Sequence, residues 1–140
     1  MPILPDGEYL IRNIEADLYM DLSGGSAQPF TPINGWQATK SPNQKWQITT
    51  TNGFNEFTIQ SSVGGSAFLG LSPIRIYPPM IAVEQVPVRW SIEPVGDGVF
   101  RLAFPYNDGA IAVPDGGRQG QLYLPPWEGM RTQKWAFEPA

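Results

Sequence analysis

The chain predicts an all-β barrel with a threefold internal repeat, and three observations carry that reading. A Gln/Val-x-Trp-x-apolar signature appears three times, at Gln44-Lys45-Trp46-Gln47-Ile48, Val88-Arg89-Trp90-Ser91-Ile92 and Gln133-Lys134-Trp135-Ala136-Phe137. Its tryptophans lie 44 and then 45 residues apart, the mark of one structural unit used three times. A second signature keeps step with the first: Gly7-Glu8-Tyr9-Leu10-Ile11, Asn55-Glu56-Phe57-Thr58-Ile59 and Gly98-Val99-Phe100-Arg101-Leu102. Finally, 15 Gly and 15 Pro among 140 residues, with no long amphipathic stretch, favour short strands joined by tight turns.

Each unit can be read in order. The first, roughly 5–50, opens with Tyr9 and Ile11 two residues apart and closes with Trp46 and Ile48. In a strand, residues two apart share a face, so each pair points to the core. The second unit, roughly 51–95, offers Phe57 with Ile59 and Trp90 with Ile92. The third, roughly 96–140, offers Phe100 with Leu102 and Trp135 with Phe137. Turn dipeptides punctuate the chain at Asp6-Gly7, Asn34-Gly35, Asn52-Gly53, Asp97-Gly98, Asp108-Gly109 and Asp115-Gly116. The whole reads as one domain, 1–140, long enough to bury a core without staples.

Composition excludes several classes of function. The net charge is −4 and no Lys/Arg run could track a phosphate backbone, so nucleic acid is not an expected partner. No apolar run approaches the ~20 residues that span a bilayer. The N-terminal Met1-Pro2-Ile3-Leu4-Pro5-Asp6 lacks the basic and apolar regions of a secretory leader; a cytoplasmic protein is expected. With no His and no Cys, Ser-His-Asp and Cys-His catalysis and the usual zinc sites are ruled out. No Gly-rich phosphate loop opens a helix, and no spacing pairs any two of the 13 acidic residues. The expectation is a protein that is not an enzyme and needs no cofactor or metal.

One stretch is denser in candidate binding residues than the rest: Leu18-Tyr19-Met20-Asp21-Leu22-Ser23-Gly24-Gly25, then Ile33-Asn34-Gly35-Trp36, then Asn43-Gln44-Lys45-Trp46. These motifs resemble the ricin-B-type β-trefoils, whose repeats read Leu-Asp-Val/Leu…Gly, apolar-Gln/Asn-x-Trp and Asn-Gln-x-Trp. The resemblance spans the chain as a repeat and implies a β-trefoil of about twelve short strands. The lack of cysteine and the ending Gln133-Lys134-Trp135-Ala136-Phe137-Glu138 are most similar to the fungal members, which include lectins and protease inhibitors.

In the lectins, the matching positions hold galactose or N-acetylgalactosamine, and the resemblance assigns roles here accordingly. Asp21 would accept hydrogen bonds from two adjacent sugar hydroxyls, a charge-assisted arrangement. Trp36 would cover the apolar face of the pyranose. Asn43, with Asn34 beside it, would offer amide donors and acceptors. Ser23 and Gly24 would line the rim, the glycine permitting close approach to the backbone. Plainer readings stand beside these. Asp21 could cap a turn into Ser23-Gly24-Gly25, Asn34-Gly35 could be a hairpin turn, and Asn43 could only hold the loop before Trp46. Trp36 falls outside the period of the core tryptophans, which favours exposure; Gln44 and Gln133 read as structural amides.

The other units lack the constellation. Gly70 aligns with Asp21 in the second, and Val113 is placed at the carboxylate position in the third. A shifted site from Asp115, Tyr123 and Trp127 is an alternative there. One site per chain is expected, and a lectin with one weak site would need a homodimer to cross-link cells. The alternative function is protease inhibition through exposed loops, with Arg118 on Gly116-Gly117-Arg118-Gln119-Gly120 as specificity residue and the Pro-rich stretches 72–87 and 125–127 as stiff edges.

Overall fold

The computed structural model describes residues 4–140. Residues 1–3, which open the domain assigned as 1–140 and belong to the stretch read for a leader, lie outside the described residues. Eleven strands follow one another: β1 (Gly7–Asn13), β2 (Tyr19–Leu22), β3 (Ile33–Trp36), β4 (Trp46–Thr50), β5 (Glu56–Ser61), β6 (Phe68–Leu71), β7 (Ile81–Glu84), β8 (Trp90–Gly96), β9 (Val99–Ala103), β10 (Gly120–Gln121) and β11 (Trp135–Pro139). This is the all-β trefoil expected.

Six of the strands close a barrel. β1 pairs with β4, β4 with β5, β5 with β8, β8 with β9, β9 with β11 and β11 with β1, all antiparallel. Closure leaves no edge in the barrel wall. The remaining segments form three hairpins over one end. β2 pairs with β3 and β6 with β7, and the third hairpin brings Ala112 opposite Tyr123. That third hairpin keeps isolated bridges in place of a full strand at 110–113. Pro114, Pro125 and Pro126 supply no N–H and interrupt its ladder. The hairpins touch one another through β10 with β3, Pro32 with Ala82, and Met80 with Tyr123.

The paired signature residues build the core. Tyr9, Ile11, Phe57, Ile59, Leu102, Trp46, Ile48, Trp90, Ile92 and Trp135 are buried in one cluster, with Phe100 and Phe137 packed against it. Each core indole N–H needs an acceptor once buried. Trp46 donates to the Met20 carbonyl oxygen at 3.0 Å, Trp90 to Leu69 at 2.9 Å and Trp135 to Ile111 at 2.9 Å. Every repeat therefore ties its last barrel strand to its own hairpin through one indole.

One turn assignment is corrected. Asn34-Gly35 is not a hairpin turn but lies inside β3, with Gly35 paired to both Met20 and Gly120. The glycine answers to packing: a Cβ there would stand 3.1 Å from Val113 Cγ1 and 3.4 Å from Leu122 Cδ2. Asp97-Gly98 does turn, joining β8 to β9 with Gly98 at φ 66°.

Candidate functional site

Alternation along β2 turns Met20 and Leu22 into the core and leaves Asp21 on the outer face. Cross-strand pairing then sets its neighbours. Asn34 on β3 lies directly opposite Asp21, and Trp36, two residues on, shares that face opposite Tyr19. At the end of β2 the chain turns through Ser23–Gly25, with Gly24 at φ 62°, a left-handed backbone that glycine adopts freely. Among the described residues nothing stands within 4 Å of where a Gly24 Cβ would be, so this glycine serves the turn. From the far side comes the 3-10 turn Pro42–Gln44, whose Asn43 amide lies over Gly25; a Cβ there would stand 2.8 Å from Asn43 Oδ1.

These elements enclose a cleft of about 290 Å³ lined by Asp21, Ser23, Gly24, Asn34, Trp36 and Asn43, with Thr39 and Ser41. All six sequence-predicted residues meet there. Thr39 and Ser41 are additions, their hydroxyls 2.9 Å apart and bonded to each other. Trp36 is 40 % exposed, so its indole is a wall of the cleft and not a core residue.

Gln44 organises the site from beneath. It is fully buried, and its Oε1 accepts from the Thr39 and Lys40 N–H groups at 2.9 and 3.0 Å. Its Nε2 donates to the Gln37 carbonyl oxygen and to Asp21 Oδ2, each at 2.8 Å. Gln133 repeats the backbone part, accepting from Glu128 and Met130 and donating to the Pro126 carbonyl oxygen. The glutamine is thus structural in both repeats, as read from sequence, and in the first it also steadies a carboxylate. Burial pushes the Asp21 carboxyl above the ordinary carboxylate range, and the Gln44 hydrogen bond opposes that shift.

The three indole hydrogen bonds give a register between repeats. Met20, Leu69 and Ile111 are equivalent, so Asp21 corresponds to Gly70 and to Ala112. Val113 therefore does not stand at the carboxylate position; it points into the core like Leu22. In the second repeat Glu84, the counterpart of Trp36, folds across Gly70: a Cβ at Gly70 would stand 2.6 Å from Glu84 Cγ, and Glu84 Oε2 accepts from the Leu71 N–H at 2.9 Å. The second position is filled and the third carries Ala112 and Tyr123.

The ricin-type β-trefoil lectin domain-like family matches residues 3–72, half of the 140-residue chain. The chain belongs to that family. Among solved structures this trefoil is similar to the Rhizoctonia solani agglutinin, at 22 % identity, complete coverage of both chains (100 %) and TM-score 0.89. It is also similar to the Macrolepiota procera ricin B-like lectin in complex with lactose, at 21 % identity over 100 % of both chains and TM-score 0.82. The C-half of an earthworm R-type lectin in complex with GalNAc matches at 19 % identity, covering 97 % of this chain and 100 % of that one, with TM-score 0.69. A comparison with curated proteins gives no match.

The alternative third-repeat trio does not assemble in this trefoil. Tyr123 donates to Asp115 Oδ1 at 3.2 Å, and both line a groove beside Arg118. Trp127 lines a different cleft, with Asp108, its backbone N–H donating to the Asp108 carbonyl oxygen at 2.8 Å. Arg118 is exposed but folds back, its Nε donating to the Asp115 carbonyl oxygen at 3.0 Å.

Proposed function

We propose that this trefoil is a carbohydrate-binding lectin that takes a terminal galactose or N-acetylgalactosamine residue in the first-repeat cleft. The observation that carries the reading is the pairing of a half-committed carboxylate with an exposed indole across one β-hairpin. Asp21 Oδ2 is held by Gln44, while Oδ1 takes no donor among the described residues. Because no buried side-chain oxygen or nitrogen among the described residues lacks a partner, Oδ1 is open to the cleft. It can therefore accept from two adjacent ring hydroxyls while Trp36 lies against the C–H face of the sugar. The Asn34 and Asn43 amides, with the Ser23 rim, supply further polar contacts. The cleft volume of about 290 Å³ is at the small end of ligand clefts, which suits one terminal ring. Similar proteins crystallised with lactose and with GalNAc support the same sugar class. With Gly70 and Ala112 at the equivalent positions, the reading has one site of this kind per chain, and cross-linking through it calls for a homodimer.

A glycan array probed with wild type and Asp21→Ala, beside a trypsin inhibition assay, tests the proposal. Galactosides bound by wild type and lost in the variant support the lectin. Absence of glycan binding together with stoichiometric inhibition would replace it with the inhibitor reading.

A further inference from the structure

Superposing the repeats position by position exposes a second hollow. Where each repeat leaves the barrel for its hairpin, one bridge crosses the wall: Arg12 with Tyr19, Gln60 with Phe68, and Ala103 with Ala110. Beside that bridge stands an outward residue of the neighbouring barrel strand, which is Glu138 in the first repeat and Glu93 in the third. In the first repeat the space is occupied. Arg12 Nε donates to Glu138 at 2.8 Å and the Tyr19 hydroxyl donates to it at 3.0 Å. In the second repeat Gln60 and Phe68 hold these positions, and Gln60 is tied to the Gly65 carbonyl oxygen. In the third both are alanine, and a cleft of about 510 Å³ opens there, against about 290 Å³ for the first-repeat site.

The walls of this cleft are built and not left over. Glu93 is bonded by Arg101 at 2.6 Å and by the Ser91 hydroxyl at 2.9 Å, so both of its oxygens are committed. Arg101 is pinned in turn, its guanidinium carbon 4.9 Å from the centre of the Trp127 ring. The Trp127 backbone N–H donates to the Asp108 carbonyl oxygen, and the Trp127 and Asp108 side chains line the same cleft. Among the described residues the Asp108 carboxylate takes no hydrogen bond or ion pair, and Arg101 Nη1 makes none to the protein. A free carboxylate acceptor, a fixed guanidinium donor and aromatic surface from Trp127 and Phe104 converge on one opening. That set matches a ring with hydroxyls on its rim and C–H groups on its face. Two carboxylates against one guanidinium leave the locality negative, which disfavours acidic sugars and phosphates.

We infer that this third-repeat cleft is a second saccharide site, for a neutral sugar, unrelated by the threefold axis to the site of Asp21. It does not depend on the first site, and the two together make a single chain bivalent.

Indole N–H resonances provide the test, with that of Trp127 assigned through Trp127→Phe. Wild type and Asp21→Ala are titrated separately with N-acetylglucosamine, N-acetylgalactosamine, methyl mannoside and lactose, with N-acetylneuraminic acid as the acidic control. At least one neutral sugar should shift the Trp127 resonance saturably in both proteins. The affinity should fall about tenfold or more in Asp108→Ala and vanish in Ala103→Arg, which refills the hollow as Arg12 does. Ala103→Gln, after Gln60, serves the same end should the arginine disturb the fold. No shift with any neutral sugar, a shift with the acidic control alone, or a response unchanged in a folded Ala103 variant overturns the inference. Loss of galactoside binding in Asp21→Ala is a separate readout, so either site can fail without the other.

Discussion

Gln44 donates to Asp21 Oδ2 at 2.8 Å from a position with no solvent exposure, while Asp21 itself keeps one oxygen for the cleft. Gln133 holds the same loop geometry with no carboxylate above it, since Ala112 stands there. The trefoil therefore does not need Asp21 for its architecture. A carboxylate kept buried without an architectural duty costs desolvation energy, and its open oxygen faces the cleft.

Asp21→Asn should separate binding from stability. The amide oxygen can still accept from Gln44, so the loop survives, but the charge-assisted bonds to a sugar are lost. Binding should weaken by about 1.5–3 kcal/mol, the range for hydrogen bonds to a charged group, measured by calorimetry with lactose. Burial raises the Asp21 carboxyl, so its contribution to stability is fully present below the ordinary carboxylate value and is lost as pH rises through the raised folded value. The variant should melt at or above the wild-type temperature at pH 7, with the difference closing in acid. A variant that melts well below wild type at pH 7 would make Asp21 a structural residue.

The same titration should appear in binding. The carboxylate is the form that accepts two hydroxyl protons, so lactose affinity should fall on acidification, with a midpoint above that of an ordinary aspartate. Asp21→Asn should show a flat profile over that range. A wild-type profile equally flat would remove the carboxylate from recognition.

Much of this was legible in the sequence, for identifiable reasons. Trp46, Trp90 and Trp135 announce themselves because a large residue with a same-face partner two positions on has few homes outside a core. Asp21, Trp36 and Asn43 were legible as a spaced set by resemblance. Asn34-Gly35 misled because a strand glycine and a turn glycine look alike; what decides is Val113 and Leu122, contributed by another repeat. Thr39 and Ser41 carry no signal, since hydroxyls before a 3-10 turn are common. Proximity in the chain groups Trp127 with Asp115, whereas a backbone hydrogen bond places it with Asp108. Sequence spacing puts the third-repeat carboxylate position at Val113, one residue late, and the Trp135 to Ile111 bond with the Ala103–Ala110 bridge reveals the offset.

The two classes of tryptophan should respond in opposite ways. Trp36→Ala removes an indole that is 40 % exposed and should cost about 1–2 kcal/mol, well short of a core tryptophan, while abolishing measurable lactose binding. Trp46→Ala empties the core and orphans the Met20 carbonyl, costing about 3–5 kcal/mol. Urea unfolding of both variants, with binding measured on the folded fraction, checks the contrast.

The seam where β1 meets β11 should show acid sensitivity of the ordinary sign. Burial pushes the Glu138 carboxyl up, but the hydrogen bonds from Arg12 and Tyr19 and the Arg12 charge outweigh it and leave the group below its usual value. A depressed folded value means that the stabilisation is present above the unfolded carboxylate range and is lost as pH falls through the folded one. Glu138→Gln should therefore be less stable than wild type near neutrality, and the two should converge as pH drops. The group is partly solvated, which screens the pair and keeps the difference small. Melting temperatures taken in steps from neutral pH into acid read this out; a gap that widens in acid would reverse the assignment.

Gly35→Ala is the sharpest probe of how the fold positions the cleft. Its added methyl would meet Val113 Cγ1 at 3.1 Å and Leu122 Cδ2 at 3.4 Å, where the first and third hairpins meet. Overpacking of this kind costs about 1–3 kcal/mol and is relieved by moving backbone. The strand that must move is β3, which carries Asn34 and Trp36 on its opposite face. Galactoside affinity should therefore drop although no cleft residue has changed, and stability should drop with it. A variant that loses stability while keeping full affinity would show that the core-side packing of β3 does not set the placement of Trp36.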